Sequence, residues 1–307
     1  DWSSDVCSSD LAVIIHSTLF DLSLLALRWC AKQKKKSVII AHTALWHDNR
    51  VVDGLMRLYG RTLLRRLIKK SNSHVVCVDK WTFDNATSLF STAHKISTIP
   101  VSVELGTMSN GDSSKVRDKH KLGDGPILLS LGHVVPLRDR LNLVRALPLL
   151  VEKYPDIKLV IVGMVKDTQF LDLADELGVK EQIVLIGPVP HSEIRDYLAV
   201  ADVESHDLDG RGLGITSVEA MDARVPIVAW AQDDNYPQYS LRGYGQSGFI
   251  NDGAPETIAD VIDQLLTNRE FRESVIASQV RLVRDIYSVE SVTRQYVHLL
   301  TDKTLES

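Results

Sequence analysis

The chain has 307 residues, 44% of them hydrophobic and 24% charged, which fits two ordinary globular domains and excludes disordered and fibrous classes. Its net charge of −5 divides unevenly: residues 1–125 carry 18 Lys and Arg against 12 Asp and Glu, while residues 126–307 carry 17 against 28. Unlike halves call for unlike partners, the basic one suiting an anionic acceptor or a membrane surface.

In chain order, residues 1–10 lack an initiator Met and apolar periodicity, and read as a non-native tail outside the fold. The apolar run from Leu11 to Trp29 is interrupted by His16, Ser17, Asp21 and Ser23, too often for a membrane span of ~20 apolar residues. A strand and then a helix are predicted there. Strands at 12–16, 38–41, 74–78 and 96–99 alternate with helices at about 22–34, 53–70 and 81–92, the pattern of a parallel sheet. Helix 53–70 places Arg57, Arg61 and Arg65 four residues apart beside a stripe of Leu55, Met56, Tyr59, Leu63 and Leu67. Such a helix has either a solvated basic face or a peripheral contact with anionic lipid.

Thr107–Ser114, polar and glycine-containing, predicts the linker between the halves. Strands then follow at 126–131, 158–162, 182–186, 200–203, 226–229 and 248–250, each leading to a helix, with a last helix at about 289–302. Three scattered cysteines, Cys7, Cys30 and Cys77, give neither a disulfide framework nor a thiolate cluster, so a reducing, cytoplasmic compartment is the simplest reading.

Two segments carry chemistry. An apolar strand ends at Gly132, and His133, Arg138 and Arg140 lie between it and the next helix. Guanidiniums at a strand's C-terminal end suit a diphosphate, because Arg forms bidentate, charge-assisted bonds to phosphate oxygens. The second segment is the glycine-rich loop Arg211-Gly212-Leu213-Gly214-Ile215, which opens a helix bearing Glu219, with the buried strand Val225–Ala229 behind it. Amides at a helix start are unpaired and carry the positive dipole end, so a phosphate can approach across the glycines. A carboxylate one turn further in can accept hydrogen bonds from sugar hydroxyls. The chemistry is capture of a sugar nucleotide.

The frame Arg211-Gly-Leu-Gly-Ile-Thr-Ser-Val-Glu219-Ala-Met, followed by Val225-Pro-Ile-Val, resembles glycosyltransferase family 4. So do Gly132-His133 with Arg138, and Leu159–Gly163, Ile183–Val189, Ile194–Asp202, Ser247–Ile250 and Arg284–Val289, in order and spacing. The resemblance covers residues 125–300 strongly and 11–124 more loosely. It implies an α/β fold of the GT-B type, two Rossmann-like domains with parallel sheets. Residues 11–123 would be an N-terminally truncated acceptor-side domain, 124–288 the nucleotide-sugar domain, and 289–307 a helix crossing back. It further implies retaining transfer of a hexosyl group from a nucleotide-sugar to an acceptor hydroxyl at the interdomain cleft. The donor is a co-substrate, and no cofactor, metal or nucleic acid is expected. The acceptor would be a glycan or lipid-linked, met at the inner face of a membrane.

By the resemblance, Glu219 holds the ribose and Arg138 contacts the diphosphate, with Arg140 near enough to share the task. Gly132, His133, Gly212, Leu213, Gly214 and Ile215 complete the donor site. His133 replaces the usual arginine, a titrating group for a fixed charge. Arg211 replaces the family's first glutamate and cannot accept bonds from sugar hydroxyls. It binds phosphate, recognises an acidic sugar, or weakens activity, and Asp207 or Asp209 could supply the missing acceptor. In the first half His42 follows a strand as the family's histidine near the reacting sugar does, with His47 second and His16 a weaker candidate. Two other readings stay open: a donor-binding protein without turnover, and a sugar-nucleotide epimerase of the same architecture.

Overall fold

The structure is a computed structural model that describes residues 12–18, 21–90, 95–136, 138, 140–209, 213–231, 233–236, 240–245 and 248–301. The expected tail at 1–10 lies outside these residues. The described residues divide into two compact units, one of those up to 101 together with 290–301 and one of those within 102–289.

In the first unit, β1 (Val13–His16), α1 (Asp21–Gln33), β2 (Ser37–Ala41), α2 (Arg50–Tyr59), α3 (Arg65–Ser71), β3 (His74–Cys77), α4 (Lys80–Phe90) and β4 (Ile96–Thr98) follow in turn. The strands pair in parallel in that order. Alternate residues of the fully buried β2 face opposite cores, as the period of two requires. Ile39 and Ala41 pack with Leu27 of α1, Ile68 of α3 and Phe90 of α4. The single helix expected over 53–70 is instead α2 and α3 joined by a π-helical turn, Gly60–Leu64. Gly60 allows that turn a close approach: a Cβ there would lie 3.1 Å from Leu89 and 3.2 Å from Leu45.

The second unit holds α5 (Ser113–His120), β5 (Ile127–Leu131), α6 (Leu141–Lys153), β6 (Lys158–Val162), α7 (Gln169–Glu176), β7 (Ile183–Gly187), α8 (Ile194–Val200), β8 (Val203–Glu204), α9 (Ile215–Asp222), β9 (Ala229–Trp230), β10 (Phe249–Ile250), α10 (Pro255–Thr267) and α11 (Arg269–Leu282). Its main sheet runs β7-β6-β5-β8, all parallel, and β9 pairs with β10 beyond a bridge between Glu204 and Ile227. Ile127, Leu129 and Leu131 of β5 face one core with Val218 of α9, whereas Leu128 faces another with Leu147 of α6 and Ile262 of α10. Helices therefore cover both faces.

The predicted linker is not one. Asp112 caps α5 by accepting from the amides of Ser114 and Lys115 and from the Ser114 hydroxyl, and Met108 is buried. Asp196 of α8 accepts the Asp112 amide at 3.0 Å and pairs with Lys115 at 2.9 Å. These bonds tie residues 102–123 into the second unit, so the division falls at 101/102 and not at 123/124. The polar helix hid because Val116 is its one buried residue. The last helix, α12 (Val289–Thr301), belongs to the first unit, where Val292 packs on Val38, Ile40, Val76 and Ile99.

Candidate functional site

Strand order places the site. From β5 the chain steps outward to β6 and β7, whereas β8 pairs on the opposite side of β5. The carboxyl ends of β5 and β8 thus flank a topological switch point, where open α/β sheets bind ligands. Gly132, His133, Arg138 and Arg140 follow β5, and the segment from Glu204 to Gly214 follows β8.

The loop after β5 is rigidly set. Gly132 has φ +111° and Gly163, after β6, has φ +144°; a Cβ on Gly163 would lie 2.3 Å from the Gly132 carbonyl oxygen. Only glycine lets the two backbones cross there. His133 is exposed, and its Nδ1 accepts from the Met164 amide at 3.0 Å, which puts a ring proton on Nε2 when the imidazole is neutral. The Arg138 amide donates to the Val135 carbonyl at 2.8 Å in a tight turn. The Arg138 side chain remains exposed, and one guanidinium nitrogen stands 3.4 Å from where a Cβ on Gly214 would be. The two predicted segments therefore meet at the start of α9.

Arg140 is not the second open clamp that its spacing predicts. It is 1% exposed, and its Nε donates to Ser130 Oγ at 2.6 Å. Its other nitrogens donate to the carbonyls of Arg138 at 2.8 Å and Gly132 at 3.3 Å. A buried guanidinium must satisfy its donors, and here it does so by shaping the loop that presents Arg138.

Beneath this loop lies a buried charged cluster that sequence reasoning passed over. His206 Nδ1 is 2.5 Å from Glu204 Oε1, and its Nε2 is 3.2 Å from both Asp207 Oδ1 and Thr216 Oγ1. Burial pushes the His206 ring down, but Asp207 and Glu204 outweigh it, and its pKa is raised above 6.5. With His206 protonated, it and Arg140 balance the two carboxylates. Asp207 is not the spare sugar acceptor considered from the sequence. Its Oδ2 accepts from the Gly214 amide at 2.6 Å and from Ser217 Oγ at 2.8 Å. One amide of the predicted phosphate cradle is thereby committed to the protein. The signal was present in Glu204-Ser-His-Asp207, where charge directly follows a buried strand.

Glu219, one turn into α9, is 8% exposed, and its Oε1 meets His191 Nε2 at 2.9 Å. Both line a cavity of about 480 Å³ with Glu104, Thr107, Arg195 and Ile215, a size suited to a small-molecule ligand. Arg138, Arg140 and His206 line a separate hollow of about 90 Å³ with Asp209. His191 also follows a strand end, β7, which is the feature that could have found it. Leu213 is half-buried and Ile215 exposed beside Gly214. Arg211 and Gly212 lie outside the described residues.

In the first unit, His16 and His42 follow or close β1 and β2. His16 Nδ1 and His42 Nε2 are 3.0 Å apart, and the rings stack at 5.3 Å. Partial burial and the neighbouring His16 hold the His42 pKa below 6.5. His47 instead accepts the Asn49 amide at the start of α2. In the predicted stripe, Met56 and Tyr59 touch the core and Leu67 is buried, but Leu55 is 61% exposed. With Val51 and Leu58 it forms an exposed apolar row on α2. Among the described residues, no helix is long and apolar enough to cross a membrane, and no group of three or more His, Cys, Asp or Glu could hold a metal ion.

Comparison with known proteins fits this geometry. Residues 112–279 match the family described as Glycosyl transferases group 1. The GDP-mannose-dependent alpha-(1-6)-phosphatidylinositol monomannoside mannosyltransferase of Mycolicibacterium smegmatis is 31% identical over 210 residues, 65% of this chain and 50% of that protein. Its namesake in Mycobacterium tuberculosis is 27% identical over 276 residues, 86% of this chain and 69% of the relative. The chain thus spans half the length of the first relative and about two thirds of the second. Among solved structures, Anabaena HepE in complex with UDP superposes with a TM-score of 0.74 at 15% identity, over 94% of this chain and 79% of that one. The fold is GT-B.

Proposed function

This chain belongs to the group 1 glycosyl transferases, and we propose that it performs retaining transfer of a hexosyl group from a nucleotide-diphosphate sugar to an acceptor hydroxyl, in the manner of family 4. The observation that carries this reading is the Arg138 guanidinium held against Gly214 at the switch point. As the bond from the sugar's anomeric carbon to phosphate breaks, negative charge grows on the leaving diphosphate. Arg138 and the positive end of α9 are already in place to receive it, so little reorganisation is needed. The acceptor oxygen forms the new bond to the anomeric carbon, and its proton passes to the leaving phosphate. Glu219 faces a cavity large enough for a nucleoside and accepts from ribose hydroxyls, with His191 orienting its carboxylate.

The names of the relatives make GDP-mannose the first donor to try and a phosphatidylinositol-linked glycan the first acceptor. The exposed row Val51, Leu55 and Leu58 on α2, flanked by arginines, supports peripheral contact with an anionic membrane. The test is transfer by the full-length protein from GDP-, UDP- and ADP-sugars, with the anomeric configuration of the product read by NMR. Product of retained configuration from one donor class is expected. Inverted product, epimerised donor without acceptor, or no reaction with any donor contradicts the proposal.

A further inference from the structure

The buried cluster in the second unit ties together three stretches of chain that are far apart in sequence. Glu204 Oε1 accepts the Leu131 amide at the end of β5, at 3.3 Å, and the same oxygen meets His206 Nδ1 at 2.5 Å. On the other side of the ring, Nε2 is 3.2 Å from Asp207 Oδ1 and 3.2 Å from Thr216 Oγ1 in the first turn of α9. Asp207 in turn accepts from the Gly214 amide and the Ser217 hydroxyl. One imidazole thus stands between the strand that leads to Arg138 and the helix that Arg138 faces.

Both sides need the ring's charge. Glu204 takes the Nδ1 proton, so a neutral ring would turn its Nε2 lone pair towards the Asp207 carboxylate, whereas an imidazolium turns a proton there. Glu204, His206 and Asp207 are at most 5% exposed, so bulk water does not replace a lost partner. Space is equally tight. A Cβ on Gly214 would lie 3.3 Å from Asp207 Oδ2 and 3.4 Å from both His206 Nε2 and Arg138 Nη1. His206, Asp207 and Arg138 therefore converge on one residue, and a shift of the ring moves the start of α9 relative to the guanidinium. Arg140, which binds the Arg138 and Gly132 carbonyls, faces the ring as a like charge.

We propose that His206 is a positioning residue for the donor's diphosphate: held between Glu204 and Asp207, it sets the gap between Arg138 and the start of α9. Its side chain is wholly enclosed, so it acts through Arg138 and the helix rather than on the ligand. This inference rests on the reading of Arg138 as the diphosphate contact. A histidine that only stabilised the fold would leave the diphosphate and nucleoside parts of a ligand equally affected, whereas a positioning one acts on the diphosphate alone.

Titration of GDP, ADP and UDP, and of guanosine, adenosine and uridine, into the full-length protein tests this. The proteins compared are wild type, His206→Gln, Arg138→Ala and the double variant. His206→Gln should weaken the best-bound diphosphate about tenfold and leave its nucleoside unchanged. Arg138→Ala should weaken it about tenfold or more, and the double variant should bind within about twofold of Arg138→Ala, since one effect passes through the other. Unchanged diphosphate affinity in His206→Gln, losses that multiply in the double variant, or an equal loss for the nucleoside overturns the proposal. Unchanged affinity in Arg138→Ala sinks the reading on which it rests, and wild type that binds none of the three diphosphates sinks both. Should His206→Gln fail to fold, Glu204→Gln reads the same effect: the diphosphate should weaken selectively, and equal affinity overturns the proposal. Nitrogen-15 NMR of the wild-type histidine rings gives an independent readout. Both ring nitrogens of His206 should carry protons at neutral pH, and a neutral ring overturns the proposal.

Discussion

His42 and His206 occupy the same kind of place in two similar sheets, just past the carboxyl end of a parallel strand, yet their charges are pushed in opposite directions. His42 is exposed, and its near neighbour is another imidazole, so partial burial and His16 favour the neutral ring. His206 is fully enclosed, which alone would neutralise it more strongly, but Asp207 and Glu204 on either side hold the proton. Burial sets how strongly neighbours act; the neighbours decide the sign. The second unit uses His206, with Arg140 and the two carboxylates, to anchor the loops after β5 and β8, whereas the first presents His42, held towards its neutral form, near the surface.

The contrast breaks most visibly if the buried cluster is cut. Glu204→Leu leaves His206 and Arg140 short of a counter-charge and should cost about 3–5 kcal/mol in urea unfolding. A loss below about 1 kcal/mol, the worth of an ordinary hydrogen bond, would mean that the cluster is not charged. Arg138→Ala, which touches no part of that cluster's core, should leave stability within about 0.5 kcal/mol. Its kcat should fall about 10²- to 10³-fold, as when one donor to a developing oxyanion is removed.

These two arginines show how far the sequence could be read. Continuous apolar runs such as Leu159–Val162 located β5, β6 and β7 to within a residue, whereas the strands expected at 200–203 and 226–229 begin three residues later, at Val203 and Ala229. Arg138 and Arg140 look equivalent in one dimension, and burial of an arginine is rare enough that both are naturally read as exposed. Only the fold shows Ser130 and two carbonyls waiting for one of them. Glu204 and His206 escaped for the same reason, since charge after a strand reads as solvated loop, and Asp207 was read as a spare sugar acceptor because its buried partners lie far off in sequence. Helix α5 escaped because its surface is almost wholly polar, although Asp112 at its start was a cap signal in plain view.

Smaller effects sharpen the comparison. Glu219→Gln keeps the size of the side chain but removes the charge that strengthens bonds from ribose hydroxyls. The donor KM should rise about tenfold, for about 1.5 kcal/mol, with stability little changed. The two histidines should also bend stability oppositely with pH. A folded-state pKa raised above the unfolded one gives His206 a contribution that is full below about 6.5 and lost as pH rises through the folded value. For His42, whose folded value is lowered, the contribution is present above 6.5 and lost as pH falls through the folded value. Urea unfolding across pH 5–9 of His206→Gln should flatten the alkaline decline, and His42→Gln the shallower acidic one. Identical pH profiles for both variants would refute the contrast.

Titration of GDP and guanosine into wild type and Arg138→Ala tests most directly the proposed phosphate seat formed by Arg138 and the start of α9. GDP affinity should drop about tenfold or more in the variant while guanosine affinity stays the same. Equal GDP affinity in the two proteins would contradict it.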